Sequence, residues 1–243
     1  EQHEVHELDL NPVIVYERGF ALVDARMISG EPIHHPRATD LSYRRMKSLD
    51  AIFGPKSAAI VGASTPGSVG GIILKNSRRI EHLYPVNPKR DELLGKPCYP
   101  SIEKLPRTPD LGVFAIPPEA TLKTFRTFCE RGGRGAIVVS DGFAESGRKD
   151  LEDELVSIAQ EHEVAYVGPN CLGVIDNYSG LNTMFIPERR TGMRSEPGSV
   201  GIISQSGGIG LELLEMLHGD NVAVGKWVSC GNASGVAIPE ILA

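Results

Sequence analysis

The residues with the clearest chemical potential form a glycine-rich bend between a buried run and a helical segment. Residues 58–61 are apolar and typical of a buried strand, residues 62–68 (GASTPGS) interrupt regular structure, and Val69 begins an apolar segment of helical length. This arrangement predicts a phosphate site, because bare backbone approaches a pyrophosphate closely and the free amides of a helix start face the anion. Gly62 and Gly67 lie five positions apart, whereas the dinucleotide fingerprint spaces its first two glycines by two, so NAD is disfavoured. The alternative is an ordinary connection between a strand and a helix.

A second bend of the same kind lies towards the end of the chain. Residues 198–204 are predicted to form a strand, and residues 209–217 an apolar helix. Hydroxyl groups and bare amides between them predict a second anion cradle, formed by Ser204, Ser206, Gly207 and Gly208. The competing interpretation is that Ser206 only caps the helix.

Two oxygen-bearing residues near the N-terminus are candidates for a metal site. Residues 1–30 are predicted to contain a β-hairpin, on whose opposite strands Asn11 and Asp24 lie 13 positions apart. A hairpin can bring both residues to one spot, and two oxygen ligands suit Mg²⁺. On the residues alone, turn and cap roles are favoured over a metal role. His3 and His6 point to opposite faces of a predicted strand, which argues against a zinc site there.

Buried strands alternate with helices through the middle of the chain, which is typical of a doubly wound parallel sheet of the α/β class. The predicted strands are residues 58–61, 83–88, 111–116, 135–140 and 164–167, and predicted helices cover residues 119–131 and 150–161. Ligands bind such sheets at the carboxyl ends of the strands, where Lys89 follows the second strand and either meets a phosphate or is an ordinary surface charge. Residues 31–46 form a predicted linker, whose basic end around Arg45 is interpreted as a solvated helix start. Residues 177–197 are a predicted crossing segment between two domains.

The composition excludes several classes of protein. The chain of 243 residues has a formal net charge of -6 and only 6% aromatic residues, which argues against nucleic-acid binding. A transmembrane helix requires about 18 consecutive apolar residues, and no apolar run in the sequence is that long. The acidic N-terminus does not resemble a signal peptide. The four cysteines form no CxxC pair, so we expect free thiols, a cytoplasmic location and no zinc site.

Four motifs follow one another in an order that one known family shares. They are residues 60–64 (IVGAS), 84–88 (YPVNP), 168–173 (GPNCLG) and 203–207 (ISQSG). In these motifs the chain resembles the nucleoside-diphosphate-forming acyl-CoA synthetases, which include ADP-forming acetyl-CoA synthetase and the α subunit of succinyl-CoA synthetase. The resemblance covers residues 47–243.

The resemblance implies a domain organisation. Residues 47–190 are expected to form a Rossmann-like CoA-binding domain, and residues 197–243 the first part of a flavodoxin-like α/β domain, truncated at the end of the chain. The hairpin at residues 1–30 resembles the closing strands of an ATP-grasp domain, and residues 31–46 link it to the CoA-binding domain. In that domain, an asparagine and an aspartate at the places of Asn11 and Asp24 hold the Mg²⁺ of ATP, which raises the weight of the metal role.

The resemblance also implies a reaction and its partners. ATP phosphorylates a carboxylic acid, the acyl phosphate meets CoA, and the phosphoryl group passes through a histidine, with ADP and phosphate as products. The phosphorylated histidine of the family lies beyond Ala243, so we expect this chain alone to be inactive. The remaining ATP-grasp and C-terminal parts are expected as other chains or missing segments, and contacts with other polypeptides predict an oligomer.

Each site residue carries a role that the resemblance implies. The residues expected at the CoA phosphates are Gly62, Ala63, Ser64, Gly67, Val69 and Lys89. Ile116 and Pro117 are expected on the adenine side, with Gly142 and Phe143 close by. Asn170 and Cys171 are expected beside the thiol end. The cradle of the second bend is expected to hold the phosphate of the histidine. Cys171 equally suits a small buried core residue and is not predicted to be a nucleophile. The alternatives are a non-catalytic CoA or acyl-CoA-binding module and, disfavoured by the glycine spacing, an NAD(P)-dependent oxidoreductase.

Overall fold

The computed structural model describes residues 4–10, 13–16, 18–22, 25–30, 42–191 and 197–242. Its N-terminal strands are β1 (Glu4–Leu10), β2 (Val13–Val15), β3 (Phe20–Leu22) and β4 (Ala25–Gly30). The β1 strand pairs antiparallel with β4, and β2 with β3, which confirms the predicted hairpin and extends it by the unpredicted strand β4. Asn11 and Asp24 lie outside the described residues, so the magnesium site stays a prediction.

The central unit is a parallel sheet of five strands, as predicted. Its elements are α1 (Tyr43–Phe53), β5 (Ser57–Val61), α2 (Val69–Asn76), β6 (His82–Val86), β7 (Glu92–Leu93), β8 (Lys96–Pro97), β9 (Leu111–Phe114), α3 (Pro118–Glu130), β10 (Gly135–Val138), α4 (Lys149–His162) and β11 (Ala165–Val167). The strand order is β11-β10-β9-β5-β6, and each neighbouring pair is parallel. One apolar cluster includes Ile52 and Ile73 of α1 and α2, and another includes Phe125 and Leu155 of α3 and α4. Helices therefore cover both faces of the sheet, which explains why its strands are continuous apolar runs.

A second sheet follows, and one of its strands lies inside the predicted crossing segment, residues 177–197, which also contains a short helix. Its elements are β12 (Val174–Asp176), β13 (Leu181–Asn182), α5 (Glu188–Thr191), β14 (Val200–Ser204), α6 (Gly207–Gly219), β15 (Val224–Ser229) and α7 (Ile238–Leu242). The strand order is β13-β12-β15-β14, with β14 and β15 parallel and Val174 of β12 opposite Val228 of β15. The segment that follows the fifth strand of the first sheet thus ties the two units together. Among the described helices, none combines the length and the apolar character needed to cross a membrane.

The basic helix start at α1 differs from its prediction at one residue. Arg45 donates from Nε and from one terminal nitrogen to the two carboxylate oxygens of Glu240, at 2.9 and 3.1 Å, and also to the carbonyl of Gly235 at 2.7 Å. Its solvated assignment is wrong, because its guanidinium is largely buried in an ion pair with Glu240. Arg44 is exposed and pairs with Glu163 on the surface.

Candidate functional site

The glycine-rich bend folds tightly over the start of α2. The φ angle of Gly62 is +90°, and a Cβ atom there would collide with the carbonyl oxygen of Ala115, so only glycine fits. Cβ atoms at Gly70 and Gly71 would collide with the backbone of the bend itself. A Cβ at Gly67, in contrast, would meet no atom within 4 Å. Three glycines therefore allow the bend to pack on the helix, while Gly67 leaves space outside it.

Sequence reasoning missed Gly70 and Gly71, although a signal was present. Two consecutive glycines in the first turn of a helix are unfavourable by helix propensity, so they indicate close packing against another backbone. Here that backbone is the glycine-rich bend, which contains Thr65 and Gly62.

The start of α2 presents free amides at its positive end. The Oγ atom of Ser68 accepts the N–H of Gly71 at 3.1 Å and donates to the carbonyl of Thr65 at 2.7 Å, which caps the helix. The amides of Val69 and Gly70 have no acceptor within a helix, since they belong to its first turn. No acidic residue occupies that turn. The end of α2 is therefore suited to an anion.

Asn87 holds the bend in place, a role that sequence reasoning missed. Its Nδ2 donates to the carbonyl of Ala63 at 2.7 Å, and its Oδ1 accepts the amide of Lys89 at 2.8 Å. Its own amide donates to the carbonyl of Tyr99 at 2.9 Å. The available signal was an asparagine directly after a strand, where its short side chain readily bonds to nearby backbone. Asn87 thus fixes the bend relative to Lys89.

Two clefts open at the carboxyl edge of the first sheet. The larger has a volume of about 890 Å³ and the smaller about 690 Å³, both within the range of small-molecule sites. The predicted residues that line the larger cleft are Val69, Ile116, Pro117, Gly142, Asn170, Cys171 and Gly207. Those that line the smaller cleft are Gly62, Ser64, Lys89, Ile116 and Pro117. Because Ile116 and Pro117 line both, they form a ridge between two neighbouring spaces.

The other predicted residues do not line either cleft, for different reasons. The side chains of Ala63 and Phe143 are fully buried in the core, so only their backbone is available to a ligand. The amide of Phe143 already donates to Glu145 at 3.0 Å. Gly67 lies on the exposed part of the bend. Ser204, Ser206 and Gly208 belong to the second bend, beside the larger cleft.

The second bend combines a helix cap with a free helix start. Ser206 Oγ accepts the amide of Ile209 at 3.3 Å, which confirms that Ser206 caps α6, and Ser204 Oγ donates to the carbonyl of Ser206 at 2.8 Å. The cap leaves the amides of Gly207 and Gly208 without an acceptor inside the helix, since both belong to its first turn. The starts of α2 and α6 therefore border the same larger cleft, through Val69 and Gly207.

Cys171 lines the larger cleft, but its thiol is unreactive. Its thiol donates to the carbonyl of Val138 at 3.3 Å. Burial raises the pKa of Cys171 to about 12, so the thiol is protonated at neutral pH. It is therefore unsuited to nucleophilic attack and suited to packing beside a ligand.

The burial of the cysteines gives an expected order of alkylation. All four cysteines are free, and burial also raises the pKa of Cys129 to about 12, whereas Cys98 is only half-buried. We expect iodoacetamide at pH 8 to modify Cys98 first, and Cys129 and Cys171 about 1,000-fold more slowly than an ordinary thiol, because their thiolate population is smaller by that factor. Intact mass against time measures this, with the Cys98→Ser variant as the control. Early modification of Cys171 in that variant would contradict the burial of its thiol.

Two protein families match this chain. The CoA-binding domain family matches residues 56–177, and the succinyl-CoA ligase-like flavodoxin domain family matches residues 197–243. The first match includes the whole five-stranded sheet and the whole glycine-rich bend, and the second begins just before β14.

Similar proteins and solved structures agree with these two family matches. Acetate–CoA ligase [ADP-forming] II of Archaeoglobus fulgidus is 35% identical over 100% of this chain and 36% of its own length. The α subunit of acetate–CoA ligase [ADP-forming] II of Pyrococcus furiosus is 30% identical over 80% of this chain and 42% of its own length. A structure of the dinucleotide-forming acetyl-coenzyme A synthetase 1 of Candidatus Korarchaeum cryptofilum, in complex with phosphate and ADP, is 33% identical with a TM-score of 0.75, over 81% of this chain and 42% of that one. This chain thus spans 36% to 42% of the length of these three proteins.

Proposed function

This chain belongs to the family of nucleoside-diphosphate-forming acyl-CoA synthetases that includes the ADP-forming acetate–CoA ligases, and we propose that it supplies the CoA site and a phosphate cradle of such an enzyme. One observation carries the proposal: α2 and α6 both begin at the cleft of about 890 Å³, at Val69 and Gly207. Since helix starts attract anions, one cleft suits the pyrophosphate of CoA beside a phosphoryl group in transit.

The proposed reaction joins a carboxylic acid to the thiol of CoA. ATP supplies the phosphoryl group, which passes through an acyl phosphate and a phosphorylated histidine outside this chain, and ADP and phosphate are released. The role of this chain is to hold negative charge: the amides of Gly207 and Gly208, with Ser204 and Ser206 around them, face a phosphoryl group from fixed positions. Fixed donors stabilise developing charge without reorganising, and phosphoryl transfer depends mainly on such stabilisation.

The two clefts suit the two ends of CoA. We place its adenosine end in the smaller cleft, where Lys89 and Lys123 supply positive charge and Glu103 is the opposing carboxylate. We place its pantetheine arm across the ridge of Ile116 and Pro117, so that the thiol lies in the larger cleft between Val69 and Gly207. The backbone of the glycine-rich bend, from Gly62 through Ala63, Ser64 and Gly67, is then available to the pyrophosphate.

Magnesium and ATP enter the proposal through the N-terminal strands. Asn11 follows Leu10 and Asp24 precedes Ala25 in the sequence, and Leu10 is paired with Ala25 in the structure. Carboxylate and amide oxygens are ligands that Mg²⁺ prefers, so we propose that Asn11 and Asp24 hold the ion, which neutralises phosphate charge when bound. The rest of an ATP-grasp domain would come from other segments or chains in an oligomer.

The relatives support such partners. One of them is an α subunit, and this chain covers 42% of it. We also propose a cytoplasmic location, which the four free cysteines support, since disulfides are rare in that compartment.

Calorimetry with CoA and with NAD tests the proposed function. We expect the chain to bind CoA and not NAD, because the glycine spacing does not match the dinucleotide fingerprint. Binding of NAD without CoA would end the proposal. Binding of CoA by this chain, with no ligase activity when the other proposed parts of the enzyme are supplied, would favour a non-catalytic CoA-binding module.

Substitution of Lys89 tests the position of the adenosine end. We expect Lys89→Ala to weaken CoA binding about tenfold, because a charge-assisted hydrogen bond to phosphate is lost. Lys149→Ala is the matched control, since Lys149 is exposed on α4 and lines neither cleft. Equal affinities of the two variants, measured by calorimetry at one salt concentration, would contradict the placement.

A further inference from the structure

One side chain of the second unit connects three loops at the larger cleft. Asn232 Nδ2 donates to Glu145 Oε2 at 2.6 Å and to Glu152 Oε2 at 2.7 Å. Its Oδ1 accepts from Asn170 Nδ2 at 3.3 Å, and its backbone amide donates to the carbonyl of Pro169 at 3.0 Å. A primary amide has two N–H donors, so Asn232 satisfies both carboxylates at once.

The two carboxylates shape the loop that follows β10. Glu145 Oε1 accepts the amides of Gly142 and Phe143 at 2.5 and 3.0 Å, and Glu152 Oε2 accepts the amide of Ala144 at 3.2 Å. Burial opposes the ionisation of Glu145, but its hydrogen bonds with Asn232 and the loop amides outweigh burial and lower the pKa of Glu145. Glu145 is therefore a charged acceptor beside the carboxyl group of Glu152, and the side-chain amide of Asn232 donates to both.

The connected residues are walls of one cleft and not of the other. Gly142, Asn170 and Asn232 all line the cleft of about 890 Å³, and none of them lines the cleft of about 690 Å³. Glu145 and Glu152 belong to the first unit, whereas Asn232 follows β15 of the second. The contact thus joins the two units at the end of the cleft beyond the Ile116 ridge, beside the apolar core that they share.

We propose that Asn232 is a positioning residue that holds the two units around the thiol end of bound CoA. The inference rests on the proposed function, because it uses the placement of CoA across the two clefts. Asn232 acts through the loops that contain Gly142 and Asn170, and its effect is confined to the pantetheine arm. Adenosine 3′,5′-bisphosphate, which has no such arm, binds independently of Asn232.

The Asn232→Asp variant tests the proposal in the full chain. It keeps the size of the side chain but replaces the donor by a third carboxylate, so the contact becomes repulsive. We expect the affinity for CoA to fall tenfold or more and the affinity for adenosine 3′,5′-bisphosphate to change less than about twofold, because charged groups left without a partner are costly. Calorimetry with both ligands gives the two values. Asn221→Asp is the control for charge, since Asn221 is exposed and lines neither cleft.

A second substitution tests the contact by rescue. In Asn232→Asp combined with Glu152→Gln, the glutamine amide can donate to the aspartate, and we expect the affinity for CoA to return to within about threefold of the unaltered chain. If Asn232→Asp does not fold, Asn232→Ala removes the donor without adding charge, and a loss of affinity limited to CoA is expected there too.

The outcomes separate this inference from the proposed function. Equal losses for CoA and for the bisphosphate, or no loss for either, would overturn the positioning role while CoA binding by the unaltered chain stands. Absence of CoA binding by the unaltered chain would overturn both.

Discussion

A valine at position 67 is expected to abolish CoA binding while the chain stays folded. A Cβ at Gly67 would meet no protein atom within 4 Å, and its φ angle lies outside the left-handed region. The added side chain therefore projects into the space outside the bend, where the pyrophosphate of CoA is proposed to lie against bare backbone. Since close approach of the backbone to phosphate is the reason for a glycine there, we expect affinity to fall at least ~100-fold.

Gly201→Val is the matched control for this prediction. Gly201 is exposed on β14, a Cβ there also meets no atom within 4 Å, and it lies outside the glycine-rich bend. Valine suits strands, so the control should fold and bind CoA normally. Calorimetry and thermal unfolding of both variants give affinity and stability together. Unchanged affinity of Gly67→Val would remove the pyrophosphate from this bend.

The first sheet was predictable because its signals are local. Each strand is a short apolar run that ends at proline, glycine or a polar loop, such as the run before Pro117, and each helix has its own period. Parallel order followed from the alternation of strands and helices. The glycine-rich bend was found in the same way, since the loss of regular structure between residues 61 and 69 is visible without any partner.

The second sheet was not predictable in full, because its pairing joins distant segments. Val174 lies opposite Val228, and the strands β12 and β13 have only three and two residues, too few to show a period of two. The burial of Arg45 was missed for the same reason, since its partner Glu240 is far away in the sequence. The sequence shows where an arginine or a serine lies, but only the fold determines which carboxylate or amide its side chain contacts.

The candidate site also combines features that are local in the sequence with features that join distant segments. Ser206 was given two competing roles, as a cap and as part of a cradle, and the structure shows why the residues alone could not separate them. A capped helix start still has free amides in its first turn, so one sequence pattern serves both roles. The Asn232 contact was invisible for a further reason: it connects Glu145 and Glu152 of one unit with a loop of the other. Recognition of an anion-binding bend is thus local, whereas the shape of the cleft around it is not.

A large loss of stability is expected for Gly62→Ala. Gly62 has a φ of +90°, and its added Cβ would collide with the side chain of Ile116 and with the carbonyl oxygen of Ala115, which directly follows the neighbouring strand β9. The backbone of Ala115 is held at the strand end by its amide, which donates to the carbonyl of Val61 at 2.9 Å, so its carbonyl cannot move aside as a flexible side chain can. The φ angle alone costs about 1 kcal/mol, and collision with a fixed backbone adds to it, so we expect the free energy of unfolding to fall by about 4 kcal/mol.

Gly132→Ala separates the two causes of that loss. Gly132 has a similar φ of +85°, but a Cβ there meets no atom within 4 Å, so this variant bears the backbone cost without the collision. Urea unfolding of both variants should therefore show a loss of about 1 kcal/mol for Gly132→Ala and a several-fold larger loss for Gly62→Ala. Similar losses would mean that the strand ends can separate at Ala115, and the bend would then lack the rigid backbone that holds its amides towards an anion. A large difference between the two losses would show that the sheet itself fixes the geometry of the bend. The contact that allows only glycine at position 62 is made with Ala115, so it joins the ends of two neighbouring strands.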